Sequence, residues 1–108
     1  MTFVYANLTC KDASEAQAIA DLLLADHLIA CAKIGSPLSS TYWWKDQVEQ
    51  SSEVLLIMET HESRLQKIEE AIQKVHSYDT FVLTAVPMVH ASKGARLWMQ
   101  DALKLLGN

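Results

Sequence analysis

The sequence predicts an α+β fold: a ferredoxin-like βαββαβ sandwich with an extended hairpin between its second and third strands and a C-terminal helix. Three features carry that prediction. Apolar runs rich in β-formers alternate with stretches whose apolar residues recur every three to four positions. The order of those segments is strand, helix, strand, strand, helix, strand, the split βαβ arrangement. The two middle strands, which carry the bulky run Tyr42-Trp43-Trp44, look longer than a helix pair in a chain of 108 residues can cover.

Phe3 to Leu8 is a short apolar run and reads as a buried strand. Asp12-Ala13-Ser14-Glu15 follows as a helix start, Asp12 capping backbone N–H groups and Glu15 reaching back in the manner of a capping box. Ala16, Ile19, Ala20 and Leu23 then form one stripe of an amphipathic helix that fades near His27. Leu28 to Ala32 is apolar again, and Gly35-Ser36-Pro37 punctuates it before Thr41 to Trp44 resumes a β-favouring segment. Lys45-Asp46-Gln47 is the expected turn, with the return strand running from Val48 to Met58. A second helix begins between Thr60 and Ser63, its buried face marked by Leu65, Ile68, Ile72 and Val75. The fourth strand, Phe81 to Val86, ends at Pro87, which suits a strand end or a sheet edge. Ser92 caps a last helix carrying Leu97, Trp98, Ala102 and Leu105, and Gly107 is the expected stop.

Composition bounds the function classes. The chain is read as a single domain, residues 1–108, with half of its residues apolar, a fifth charged and a mean hydropathy of +0.06, values that exclude a disordered chain. A net charge of −4 argues against nucleic-acid binding, which requires a basic face. Two cysteines cannot form the disulfide framework of a small secreted scaffold. No segment has the length and apolarity of a membrane span or of a signal peptide, and a cytoplasmic protein with no membrane partner is expected.

The hairpin points to self-association. Consecutive side chains of a strand face opposite ways, so a lone sheet leaves at least one of Trp43 and Trp44 in water. A long apolar edge strand invites pairing with another chain. One alternative packs one Trp on the third helix and leaves the other half exposed; the preferred reading is a homo-oligomer whose hairpin arm reaches across a neighbour.

Several segments resemble the CutA family of divalent-cation tolerance proteins. Leu28-Ile29-Ala30-Cys31-Ala32-Lys33-Ile34 is similar to that family's L-A-A-C-V-N-I stretch, and Tyr42 to Glu49 is similar to its Y-x-W-x-G-K-I-E hairpin. His76-Ser77-Tyr78 stands where the family has H-P-Y, and Ala85-Val86-Pro87 with Trp98 matches its A-L-P and helical Trp. The resemblance implies a homotrimer of ferredoxin-like subunits whose arms exchange strand contacts, and a link to copper and other divalent metal ions. The trimer is also similar to PII signalling proteins, which implies as an alternative a module that binds a small ligand in inter-subunit clefts. The chain departs from the family at Asp46-Gln47, where Gly-Lys is usual, and at Ser77, Phe81 and Val82, where both prolines and the acid of H-P-Y-x-x-P-E are replaced.

The chemistry-bearing residues are few. His27, His61, His76 and His90 lie too far apart for a local zinc motif, and no Cys-x-x-Cys, phosphate loop or nucleophile elbow is present, so no enzyme is predicted. In the split βαβ topology the end of the first strand and the start of the fourth share one rim. Cys10 and His76 to Asp79 are therefore expected together, with Cys31 at the opposite end. Two readings of that rim stand side by side. His76, Cys10 and Asp79 form a metal site, thiolate and imidazole suiting copper or another divalent ion; or His76 is a helix-terminal residue and Cys10 a loop thiol. Cys31 is read as an inert core thiol.

Overall fold

The computed structural model describes residues 2–105. Gly107, the expected stop of the last helix, lies outside the described residues. Five strands and three helices follow in the order β1 (Phe3–Cys10), α1 (Ala13–Ala25), β2 (Cys31–Ile34), β3 (Leu38–Trp44), β4 (Gln47–His61), α2 (Leu65–Gln73), β5 (Leu83–Pro87) and α3 (Lys93–Ala102). A short 3₁₀ turn, Glu62–Arg64, leads into α2. The strands are antiparallel in the order β2-β4-β1-β5, and β3 pairs with β4 beyond that path.

This is the expected α+β sandwich, with one change in the middle. The expected second strand is two strands. Gly35-Ser36-Pro37 interrupts it, since Pro has no N–H to give a ladder. β2 then pairs with residues 56–59 of β4, while β3 pairs with residues 47–53. The fifteen residues of β4 thus serve the four-stranded sheet with one half and a two-stranded arm with the other. The arm turns at Lys45 and Asp46, both in the left-handed region at φ 49° and 65°, the backbone of a two-residue type I′ hairpin.

Alternation places the core. Val4, Ala6, Leu8 and Cys10 of β1 and Val54, Leu56 and Met58 of β4 are buried together with Ala16, Ile19, Ala20 and Leu23 of α1 and Ile68 and Ile72 of α2. The odd-numbered β1 residues face the other way: Phe3, Asn7 and Thr9 are half-buried and Tyr5 is exposed. Thr60, fully buried, donates its hydroxyl to the Leu28 carbonyl at 2.6 Å and so ties β4 to the segment before β2.

The helix caps follow the expected chemistry. Asp12 accepts from the Glu15 amide at 2.8 Å, and the Ser92 hydroxyl accepts from the Ala95 amide at 3.3 Å. Two helices end on non-glycine left-handed residues. After α1, His27 at φ 56° lets its own N–H reach the Leu24 carbonyl and the Leu28 N–H reach Leu23. After α3, Lys104 at φ 54° does the same with Asp101 and, through Leu105, with Gln100. The stop of α3 is therefore set at Lys104 and needs no glycine.

Two expected faces are corrected. Val75 lies past the end of α2 and is exposed. On α3 the buried residues are Met99 and, just past its end, Leu103, whereas Leu97 and Trp98 face outward. Helix ties turn α3 this way: Arg64 Nη2 donates to the Leu103 carbonyl at 2.6 Å, and His27 Nδ1 donates to the Ala102 carbonyl at 2.9 Å.

Candidate functional site

The end of β1, the start of α1 and the connection between α2 and β5 meet at one rim, as the topology requires. Cys10, Glu15 and His76 meet there, one ligand atom from each lying within 4.8 Å of the others. β1 delivers Cys10 on its buried face, opposite Val54 of β4. The cap of α1 delivers Glu15, whose Oε1 accepts from the Lys11 amide at 2.9 Å. The chain leaving α2 delivers His76, its N–H still bonded to the Ile72 carbonyl at 2.9 Å.

The juxtaposition of Cys10 and His76 is the expected one. The third member is Glu15, not Asp79. Asp79 is exposed on the connection and is no part of the group. Glu15 was legible only as a capping residue, although a capping carboxylate that turns back to Lys11 necessarily comes near Cys10 as well. Cys31 stands at the far end of the sheet, as expected, but it is half-buried and not a core thiol. Desolvation and a hydrogen bond with Glu59 raise its pKa, and Glu59 also pairs with Lys33 at 3.1 Å.

Donor geometry alone suits a divalent ion; the bonding state of the donors does not. His76 Nε2 faces the Thr9 carbonyl at 3.0 Å, an acceptor, so that nitrogen carries the proton. Nδ1 accepts from the Tyr78 amide at 3.0 Å, which occupies the one lone pair of the neutral ring. Cys10 is 0 % exposed. Burial, followed by the carboxylates of Glu15, Asp12 and Glu53, pushes its thiol from 9.0 up to about 12, so the metal-free rim holds a thiol, whose proton a metal ion would have to displace. Partial burial disfavours ionisation of Glu15, but amide hydrogen bonds from Lys11 and Ser77 and the proximity of His76 outweigh it and hold the carboxyl below its ordinary value. The cluster closes the rim through the hydrogen bonds of Glu15 and His76, and a metal ion seated there would displace the Tyr78 amide from His76 and the proton from Cys10.

Around it sits an aromatic group. The His76 ring stacks on Phe81 at 5.4 Å and lies 4.8 Å from the Tyr78 ring. Tyr78 donates its hydroxyl to Glu53 Oε2 at 2.8 Å, and Glu53, 8 % exposed, stands where β4 enters the arm. Desolvation, then the Glu53 hydrogen bond and charge, raise the Tyr78 pKa. Sequence reasoning missed this pair. Nothing local in the sequence relates residues 25 positions apart on different elements.

Comparison with known proteins agrees with this architecture. Residues 4–102 match the family described as CutA1 divalent ion tolerance protein. The divalent-cation tolerance protein CutA of Escherichia coli O45:K1 is 32% identical over 103 residues, covering 95% of this chain and 92% of that one. The CutA protein of Archaeoglobus fulgidus is 28% identical over 102 residues, covering 94% and 97%. Among solved structures, the A. fulgidus protein, described as a periplasmic divalent cation tolerance protein, superposes with a TM-score of 0.91 at 26% identity, over 94% of this chain and 99% of that one. CutA1 of Oryza sativa gives 0.89 at 26% identity, over 93% and 92%. With its fold and residues 4–102 accounted for in this way, the chain belongs to the CutA1 family of divalent ion tolerance proteins.

Proposed function

We propose that this chain is a homotrimeric divalent-cation tolerance protein that responds to copper and other divalent metal ions and catalyses no reaction. One observation carries the assembly: the arm presents Trp43, 75 % exposed, with Tyr42, Trp44 and Val48 also uncovered, on a ribbon with β3 as a free edge. A two-stranded ribbon alone in water is marginal, and apolar surface of this kind is stabilised by a neighbouring copy. Family membership supports the metal-related role. The hydrogen bonds that engage both ring nitrogens of His76, with the buried thiol of Cys10, support reading the metal as an effector from outside over a resident ion. Two free thiols are in keeping with a cytoplasmic location, which is part of the same proposal.

Light scattering on the purified chain tests the assembly: a mass near three chains is expected, and a monomer at micromolar concentration overturns it. Calorimetry with Cu(II), and with Cu(I) under reducing conditions, tests the mode of metal action. Binding tighter than about 100 µM that disappears in His76→Ala overturns the effector reading and makes the rim a true metal seat.

A further inference from the structure

We infer that residues 76–78 form a strap that fixes the direction in which the arm leaves the sheet, with the Tyr78–Glu53 hydrogen bond as its fastening. The inference rests on the arm-mediated assembly proposed above and adds to it how each arm is aimed before it meets a neighbour.

The junction is sharply placed. Val54 of β4 pairs with Cys10, the last residue of β1, while Glu53 pairs with Leu38, the first residue of β3. Up to Val54 the strand has body strands beside it; from Glu53 outward it has β3 alone. A ribbon held by one ladder bends and twists at its root unless something outside the ladder touches it there. Tyr78 does so. Its hydroxyl donates to a nearly buried carboxylate, a charge-assisted bond whose loss leaves Glu53 without that donor.

The strap itself has a firm backing. The Ser77 amide donates to Glu15 Oε2 at 2.8 Å, the Tyr78 amide to His76 Nδ1, and His76 Nε2 to the Thr9 carbonyl. The His76 ring is held flat against Phe81. Glu15 of α1, Thr9 of β1 and, through the Ile72 carbonyl, the end of α2 thus position residues 76–78, and the Tyr78 side chain carries that position to the arm. The same account gives the rim cluster a task that needs no metal: Glu15 and His76 are the posts to which the strap is tied.

Spin labels on Gln47→Cys at the arm tip and Glu69→Cys on the exposed side of α2, in a Cys31→Ser background, read the arm's direction as a distance distribution. Mixing with excess unlabelled chain leaves at most one labelled copy per assembly. A single narrow peak is expected for the otherwise native chain, its loss in Tyr78→Phe, and an intermediate width in Glu53→Gln, which keeps an acceptor without the charge. Amide exchange at Leu8 and Leu56, followed alongside, is expected to stay native. A native distribution in Tyr78→Phe overturns the strap, as does broadening that comes with faster exchange in the core. Light scattering separates the two proposals: a monomer whose distribution still broadens keeps the strap and loses the trimer, and a trimer with unchanged distributions does the reverse.

Discussion

Cys10 keeps its proton because nothing around it rewards losing one. Its thiol is raised from 9.0 to about 12 by burial and three carboxylates, so the folded chain holds this proton more tightly than the unfolded chain. The stability it contributes is full below pH 9 and is lost as pH rises from 9 through 12. The urea midpoint should therefore fall across that window, and fall less in Cys10→Ala than in the native chain. Maleimide at pH 8 should label Cys31 and spare Cys10 until denaturant is added. Glu15 works in the opposite sense. Its folded pKa is lowered, so its contribution is present above its ordinary value of 4.5 and fades as pH falls below it. Glu15→Gln puts an amide donor against one of two backbone N–H groups and should cost about 1–3 kcal/mol at pH 7; the gap to the native chain should narrow in denaturant titrations at pH 3.5.

At the scale of elements, the hairpin turn is the clearest place where sequence and backbone disagree. Lys45 and Asp46 both occupy the left-handed region, where Asn and Gly are at ease and Lys is not. Lys45→Asn with Asp46→Gly should stabilise the arm by about 1 kcal/mol, read as a rise in melting temperature, even though the contact of Lys45 Nζ with the Trp44 ring at 5.7 Å is given up. The strands and helices were legible because periodicity and caps are local: Asp12, Ser92 and the stripe of α1 act within a turn of where they stand. The faces of α3 were not. Which side of that helix is buried depends on Arg64 and His27 gripping its end, and both belong to distant parts of the chain. The split of the second strand was visible as Gly35-Ser36-Pro37, but that both pieces pair with one partner follows from the length of β4 alone.

For the whole molecule, the arm gives the chain an extent of 48 Å against 27 and 23 Å across. Trp43→Glu with Trp44→Glu places two charges on the surface proposed to meet a neighbour and should abolish the trimer in light scattering while leaving helix content unchanged by circular dichroism. The proposed trimer should also melt at higher temperature as concentration rises, since mass action favours the bound form, and the double variant should show no such dependence. The meeting of Cys10 and His76 could be read from chain order, because topology fixes which ends share a rim. Its bonding could not, because the Thr9 carbonyl and the Tyr78 amide that occupy the imidazole are backbone groups, which every sequence possesses.

One consequence of β4 concerns force. Because a single strand runs from the tip of the arm into the middle of the sheet, flanked there by β1 and β2, a tug on the tip loads many ladder hydrogen bonds lengthwise and at once, where a peripheral ribbon would peel open one bond at a time. Tension applied at the tip is thereby spread through the centre of the body, and the joint resists pulling better than its slender outline suggests.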